Sequence, residues 1–279
     1  MARALVSASL RGASIRWQVW AVLGLNLIGI GLWCLFAARG WPGAPSRCLH
    51  DIVCYCETPV DGWARQPFNT WSNLACVPPA LFIARDAAAQ REHTPRVRYV
   101  LGSSFAFVLS AQGLGSMFFH GSLTQGGAVL DAVSLMLIPA IALGVNLLRL
   151  GYLKARQVPA FLGAASALAL AFRLFVLPVM APLVALVVIL VLWTGARVWR
   201  LERSNAVRRT WLGVLGVAAA CTLIWALSLR PGFPLCPARW PLGHGVFHVA
   251  GAGLTTALWF YARRLLTDRT AHIGARIPT

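Results

Sequence analysis

Five polar residues stand out because the chain around them is apolar. His120 closes the run Gly113-Leu114-Gly115-Ser116-Met117-Phe118-Phe119-His120, Asp131 follows in Leu130-Asp131, and two further histidines frame His244-Gly245-Val246-Phe247-His248. On a helix, residues four apart share a face, so His244 and His248 present two imidazoles side by side, and Ser116 and His120 do the same. Three histidine nitrogens plus a water form an open, catalytic zinc site. Zinc in such a site brings the pKa of water toward about 7 and polarises a carbonyl. Asp131 then has the chemistry to take the water's proton and pass it to a leaving amine, and Ser116 to donate to the developing oxyanion. Paired histidines also ligate haem, but a bis-histidine haem uses two of the three and leaves Asp131 and Ser116 without a role. A proton or ion pathway is another use for an intramembrane aspartate, and a serine in a span is often a helix-packing residue.

These residues need elements to carry them, and the composition says which. The 279-residue chain is 58% hydrophobic and only 12% charged, about half the charge of an ordinary soluble chain. Eight segments have the roughly 20 mostly apolar residues that cross a bilayer: 17–38, 68–85, 97–119, 127–148, 157–175, 179–199, 210–230 and 242–262. The stretch 158–196 is too long for one span, so a tight hairpin is predicted near Pro178 and Pro182, with Arg173 at its end. The first segment follows Arg3, Arg11 and Arg16 and reads as an uncleaved helix, longer than a signal-peptide core and with Trp33 and Phe36 where cleavage needs small residues. The expected architecture is therefore an all-α polytopic transmembrane bundle, and no internal repeat marks it as a transporter.

The formal charge of +17 first suggests nucleic acid, but no soluble element is present to carry a basic face. The basic residues fall instead in alternate loops: Arg85, Arg91, Arg96 and Arg98; Arg149, Lys154 and Arg156; Arg197, Arg200, Arg203, Arg208 and Arg209; then Arg263, Arg264, Arg269 and Arg276. The positive-inside rule places these loops and both termini in the cytoplasm. The opposite face keeps Arg39, Arg47, Arg65, Arg173, Arg230 and Arg239. With this orientation His120, Asp131, His244 and His248 all reach the outer leaflet. The preference for arginine over lysine suggests a GC-rich genome and so a bacterium, whose inner membrane would make the outer face periplasmic; in a eukaryote that face would be luminal. Cys48, Cys54, Cys56 and Cys236 lie on that face and can pair in an oxidising compartment. Their spacing does not decide the connectivity, and a Cys-x-Cys metal site is the alternative. Cys34, Cys76 and Cys221 lie in spans as packing residues.

The motifs together resemble the alkaline ceramidase family. Phe68-Asn69-Thr70-Trp71-Ser72-Asn73 is similar to the W-N-T-x-S-N segment that opens the first core helix of those enzymes. Gly113 to His120 is similar to their G-x-G-S-x-x-F/Y-H, Asp131 to the acidic residue after it, and His244 to His248 to the closing H-x-x-x-H. The histidine and aspartate set is shared with the wider superfamily that holds adiponectin-receptor-like proteins; the N-T-x-S-N segment points to the ceramidase branch. The resemblance covers roughly 54–262. It implies a seven-helix core over 68–262 with one zinc ion per chain on His120, His244 and His248. It implies Ser116 and Asp131 as catalytic helpers, and hydrolysis of the N-acyl bond of a long-chain membrane lipid such as ceramide. Other lipid hydrolases of the superfamily, and zinc-containing receptor-like members without turnover, are the alternatives. Around that core the chain has a basic cytoplasmic leader 1–16, an extra transmembrane helix 17–38, an outer loop with cysteines 39–67 and a basic cytoplasmic tail 263–279. The resemblance also implies a disulfide between Cys56 and Cys236, leaving Cys48 with Cys54. The family's calcium motif D-W-C-E-x-N is reduced here to Cys56 and Glu57; Cys54, Pro59 and Gln66 replace oxygen donors. Calcium needs several hard oxygens, so none is expected, and Glu57 is read as a relic of that site or a structural hydrogen-bond acceptor.

Overall fold

The computed structural model describes residues 2–46, 48, 55–89, 96–176, 181–229, 232, 234–236 and 243–272. Among these residues the structure is helical, with no strand and one isolated bridge between Pro45 and Thr124. The helices are α1 (Ala2–Arg39), α2 (Pro67–Ser72), α3 (Val77–Ala89), α4 (Arg96–Ser122), α5 (Gln125–Leu150), α6 (Val158–Ala171), α7 (Ala181–Leu201), α8 (Asn205–Leu227) and α9 (Gly243–His272). A π-helical turn, Phe172–Val176, extends α6 and carries the half-buried Arg173. The hairpin expected at Pro178 lies outside the described residues.

Among the described residues, six helices are long and apolar enough to cross a membrane: Trp17–Arg39, Val97–Ser122, Gln125–Leu150, Ala155–Phe175, Pro182–Leu201 and Asn205–Leu227. The two other segments expected to cross behave differently. Segment 68–85 is not one helix but α2, a 3₁₀ turn Asn73–Cys76, and α3. Pro78 and Pro79 bring no N–H to the first turn of α3, where proline is tolerated but cannot bond back to the preceding turn. Upstream, the side chains of Thr70, Ser72 and Asn73 bond the carbonyls of Gln66, Asn69 and Asn69, which competes with regular helix geometry. Of segment 242–262, residues 243–262 lie in α9, which has the length of a span but is not among the six apolar ones. Both exceptional segments carry the polar residues described below.

Short turns bring the site-bearing helix ends together. Leu123, fully buried at φ +50°, turns the chain between α4 and α5. Thr124 caps α5 by accepting from the Gly127 N–H at 3.2 Å. The C-terminal end of α4 and the N-terminal ends of α5 and α9 therefore meet at one end of the bundle.

In a lipid-facing bundle a buried amide or hydroxyl must find its partner within the protein. Asn146 on α5 donates to Thr194 Oγ1 and the Val191 carbonyl of α7, both at 3.1 Å, and accepts from Tyr261 of α9 at 3.3 Å. Gln112 on α4 accepts from Thr255 of α9 at 3.3 Å. α1 runs parallel to α4 and docks through three polar contacts: Gln18 with Ser103, Asn26 with Ser110 at 2.9 Å, and the Trp33 indole with the Met117 carbonyl at 3.2 Å.

The opposite end of the bundle carries two ion pairs. Arg263 and the Trp259 indole both donate to Asp86, each at 3.1 Å, and Arg149 donates to Glu202 at 2.6 Å. Glu202 also accepts from the Ser204 N–H at 3.1 Å. Burial pushes its carboxyl upward, but the Ser204 N–H and the Arg149 guanidinium outweigh that and hold it below its ordinary value. A lowered folded value means stability that is present above the usual carboxylate range and lost as pH falls through the folded one. At neutral pH, Glu202→Gln is expected to cost about 2 kcal/mol, with wild type and variant converging in acid. Thermal unfolding in detergent across a pH series checks this; a gap that does not depend on pH contradicts it.

Candidate metal centre

His120 ends α4, and His244 and His248 occupy the first turns of α9. All three side chains are almost completely buried. Their candidate ligand nitrogens lie within 4.8 Å of one another, close enough for one ion to gather them. The approach of the helices depends on small residues. A methyl group at Gly115 would lie 2.8 Å from the Leu130 carbonyl of α5, and one at Gly245 would overlap Phe68 of α2.

The hydrogen bonds around the rings decide where their lone pairs point. His120 Nδ1 lies 2.6 Å from Gln66 Oε1, while Gln66 Nε2 donates to the Glu57 carbonyl at 2.6 Å. That second bond assigns the amide, so Gln66 offers oxygen to the ring and His120 carries its proton on Nδ1. Its Nε2 is buried with no hydrogen-bond partner. His248 Nδ1 lies 2.8 Å from Ser72 Oγ, whose own proton goes to the Asn69 carbonyl at 3.0 Å. His248 therefore also keeps its Nδ1 protonated and aims Nε2 inward, where Ser116 Oγ stands at 3.3 Å. His244 Nδ1 is likewise buried and unpartnered. Two orphaned imidazole nitrogens and a third facing a hydroxyl suit a metal with nitrogen ligands, and the other ring N–H of His120 and of His248 is held by a polar neighbour.

Ser116, buried beside His248, also interacts with the Asp131 carboxylate, and Asp131 is half-buried at the start of α5. The structure thus gathers all five residues singled out in the sequence. Cys56 and Cys236 are joined as a disulfide with their Cα atoms 5.0 Å apart, the pairing that the family resemblance implied. Cys48 is disulfide-bonded, but Cys54 lies outside the described residues. Glu57 is no idle relic: its two carboxylate oxygens accept from the Phe68 and Asn69 N–H groups at 2.8 and 2.7 Å and hold the start of α2. Burial raises its carboxyl above the ordinary value, against the pull of those two bonds. A cation there would have to compete with both N–H groups for the same oxygens.

Three contributors escaped the sequence reading. Gln66 figured there only as a lost calcium ligand, Ser72 only as a motif letter, and Tyr55 had no role. Tyr55 stacks on His244 with ring centroids 3.9 Å apart and planes 30° from parallel. Its backbone sits at φ +63°, held by a bond from its N–H to the Leu229 carbonyl at 3.1 Å and by the adjoining disulfide. Burial, then the nearby Asp131 carboxylate, raises the Tyr55 phenol above its usual range, so it stays neutral. A signal for Ser72 existed, since a hydroxyl inside an apparent span needs a reason. Tyr55 had none, because only the fold brings it to His244.

No family model, curated protein or solved structure matches this chain.

Removing the acceptor that orients His120 leaves its proton free to occupy either nitrogen. Gln66→Ala is expected to weaken the affinity of the three-histidine group for an added divalent metal ion by about 10- to 100-fold, read by competition with a chromogenic chelator. Unchanged affinity in a folded variant would show that Gln66 does not orient the ligand.

Proposed function

We propose that the chain is an integral membrane zinc hydrolase that cleaves the N-acyl amide of a long-chain lipid, ceramide being the default through the family resemblance. The observation that carries this reading is the buried trio of imidazoles, two with unpartnered nitrogens, set beside a serine and an aspartate. His120, His244 and His248 would hold the ion. The chemistry zinc supplies when bound is polarisation of the amide carbonyl and acidification of water.

The chain's own residues supply the rest. Ser116 donates to the carbonyl oxygen as negative charge develops on it. Asp131 accepts a proton from the attacking water and returns it to the departing nitrogen. Water's oxygen joins the acyl carbon, the C–N bond breaks, and a fatty acid and an amine leave. Tyr55 and Phe119 pack around His120 and His244 and limit access of bulk water. An open, mostly apolar groove lined by Glu57, Phe68, Trp71, Ala75 and Val249 reaches Ser72, directly behind His248. Its apolar lining suits a segment of acyl chain.

The remaining expectations form one arrangement. We place 68–85 and 242–262 across the membrane with the six apolar spans, their polar residues turned into the bundle, which makes a seven-helix core with α1 added. The disulfide belongs on an oxidising face, and the Asp86, Arg98 and Arg263 end of the bundle on the cytoplasmic one. Both assignments put the metal centre toward the outer, periplasmic leaflet.

Elemental analysis of purified wild type beside His244→Ala tests the reading. About one zinc per chain, lost in the variant, is the expected result. Asp131→Asn is expected to keep its zinc while turnover of N-acyl lipids falls by at least about 100-fold. Wild type that folds but holds no zinc would overturn the proposal; zinc with turnover of esters alone would move it to another lipid hydrolase.

A further inference from the structure

We propose that Trp33 is a positioning residue for the metal centre, and that α1 is a working part of that centre's scaffold. This rests on the reading of the three histidines as metal ligands. The Trp33 side chain is fully buried although most of the helix that carries it is exposed. Its indole N–H donates to the Met117 carbonyl at 3.2 Å, between Ser116 and His120 on α4. The ring fills the notch at Gly121, where a methyl group would overlap the indole. Gly121 follows His120 directly, so the indole touches α4 on both sides of that ligand's turn.

The same ring reaches two other supports. It lies edge-on to Trp71 at 5.0 Å, and Trp71 precedes Ser72, the hydroxyl that orients His248. It also packs in one apolar cluster with Ala64 and Met117. Ala64 leads into Arg65 and Gln66, whose N–H groups bond the Gly121 and His120 carbonyls at 2.9 and 3.0 Å. One side chain from α1 thus braces the His120 turn, the segment that presents Gln66 and the helix that presents Ser72. The contacts of Gln18 and Asn26 fasten α1 to α4 farther from the ligands.

The test uses the full-length protein in detergent, titrated with cobalt(II), whose visible absorption reports ligand geometry. Trp33→Phe removes the N–H and keeps most of the volume; Asn26→Leu weakens the same helix seam away from the site. Trp33→Phe is expected to raise the cobalt Kd about tenfold and to shift the absorption bands. Asn26→Leu is expected to lower Tm with bands and Kd unchanged. Wild-type bands and affinity in Trp33→Phe, or the same spectral change in Asn26→Leu, would overturn the positioning role while leaving the metal site standing. Wild type that takes up neither cobalt nor zinc would remove the metal site itself and this proposal with it.

Discussion

A buried imidazole must put its N–H somewhere, and the architecture around His120 and His248 follows from that demand. A ring N–H buried inside the protein has no bulk water to take its hydrogen bond, so the acceptor has to be brought by the chain. Gln66 serves His120 and Ser72 serves His248. Each acceptor is itself oriented by a further bond, to the Glu57 carbonyl and to the Asn69 carbonyl. The consequence spreads outward. The segment before α2 is docked on the end of α4, α2 is short and followed by a 3₁₀ turn, and Glu57 is spent on that helix's first N–H groups.

Close approach is the second requirement. Apolar burial does little to drive helices together when the surroundings are themselves apolar, so contact depends on small residues and internal hydrogen bonds. The seams of α1 with α4, of α5 with α7 and α9, and of α4 with α9 each carry buried side-chain bonds. At the site end, Gly115 and Gly245 remove the side chains that would hold α5 and α2 away.

The sequence made the helices legible where hydrophobicity alone decides them. The spans at 17–38, 97–119, 127–148, 157–175, 179–199 and 210–230 correspond to the six apolar helices within a few residues. It was less direct where polar residues interrupt, and the break at Pro78 and Pro79 was legible only in hindsight. His120, His244, His248, Ser116 and Asp131 could be picked out because each is costly in an apolar context. Gln66, Tyr55 and Trp33 could not. The first two lie in a loop, where polar and aromatic residues are ordinary, and Trp33 was one of many apolar residues in a span. Their importance comes from distances between parts of the chain that spacing does not encode.

The disulfide joins residues separated by 180 positions, and the three imidazoles are split in the same way, one at 120 and two at 244 and 248. During synthesis a nascent chain has a single one of these imidazoles until α9 is made, and Cys56 has no Cys236 to pair with until shortly before. The disulfide and the imidazole trio are therefore both completed by the last part of the chain, which closes onto residues laid down in its first half.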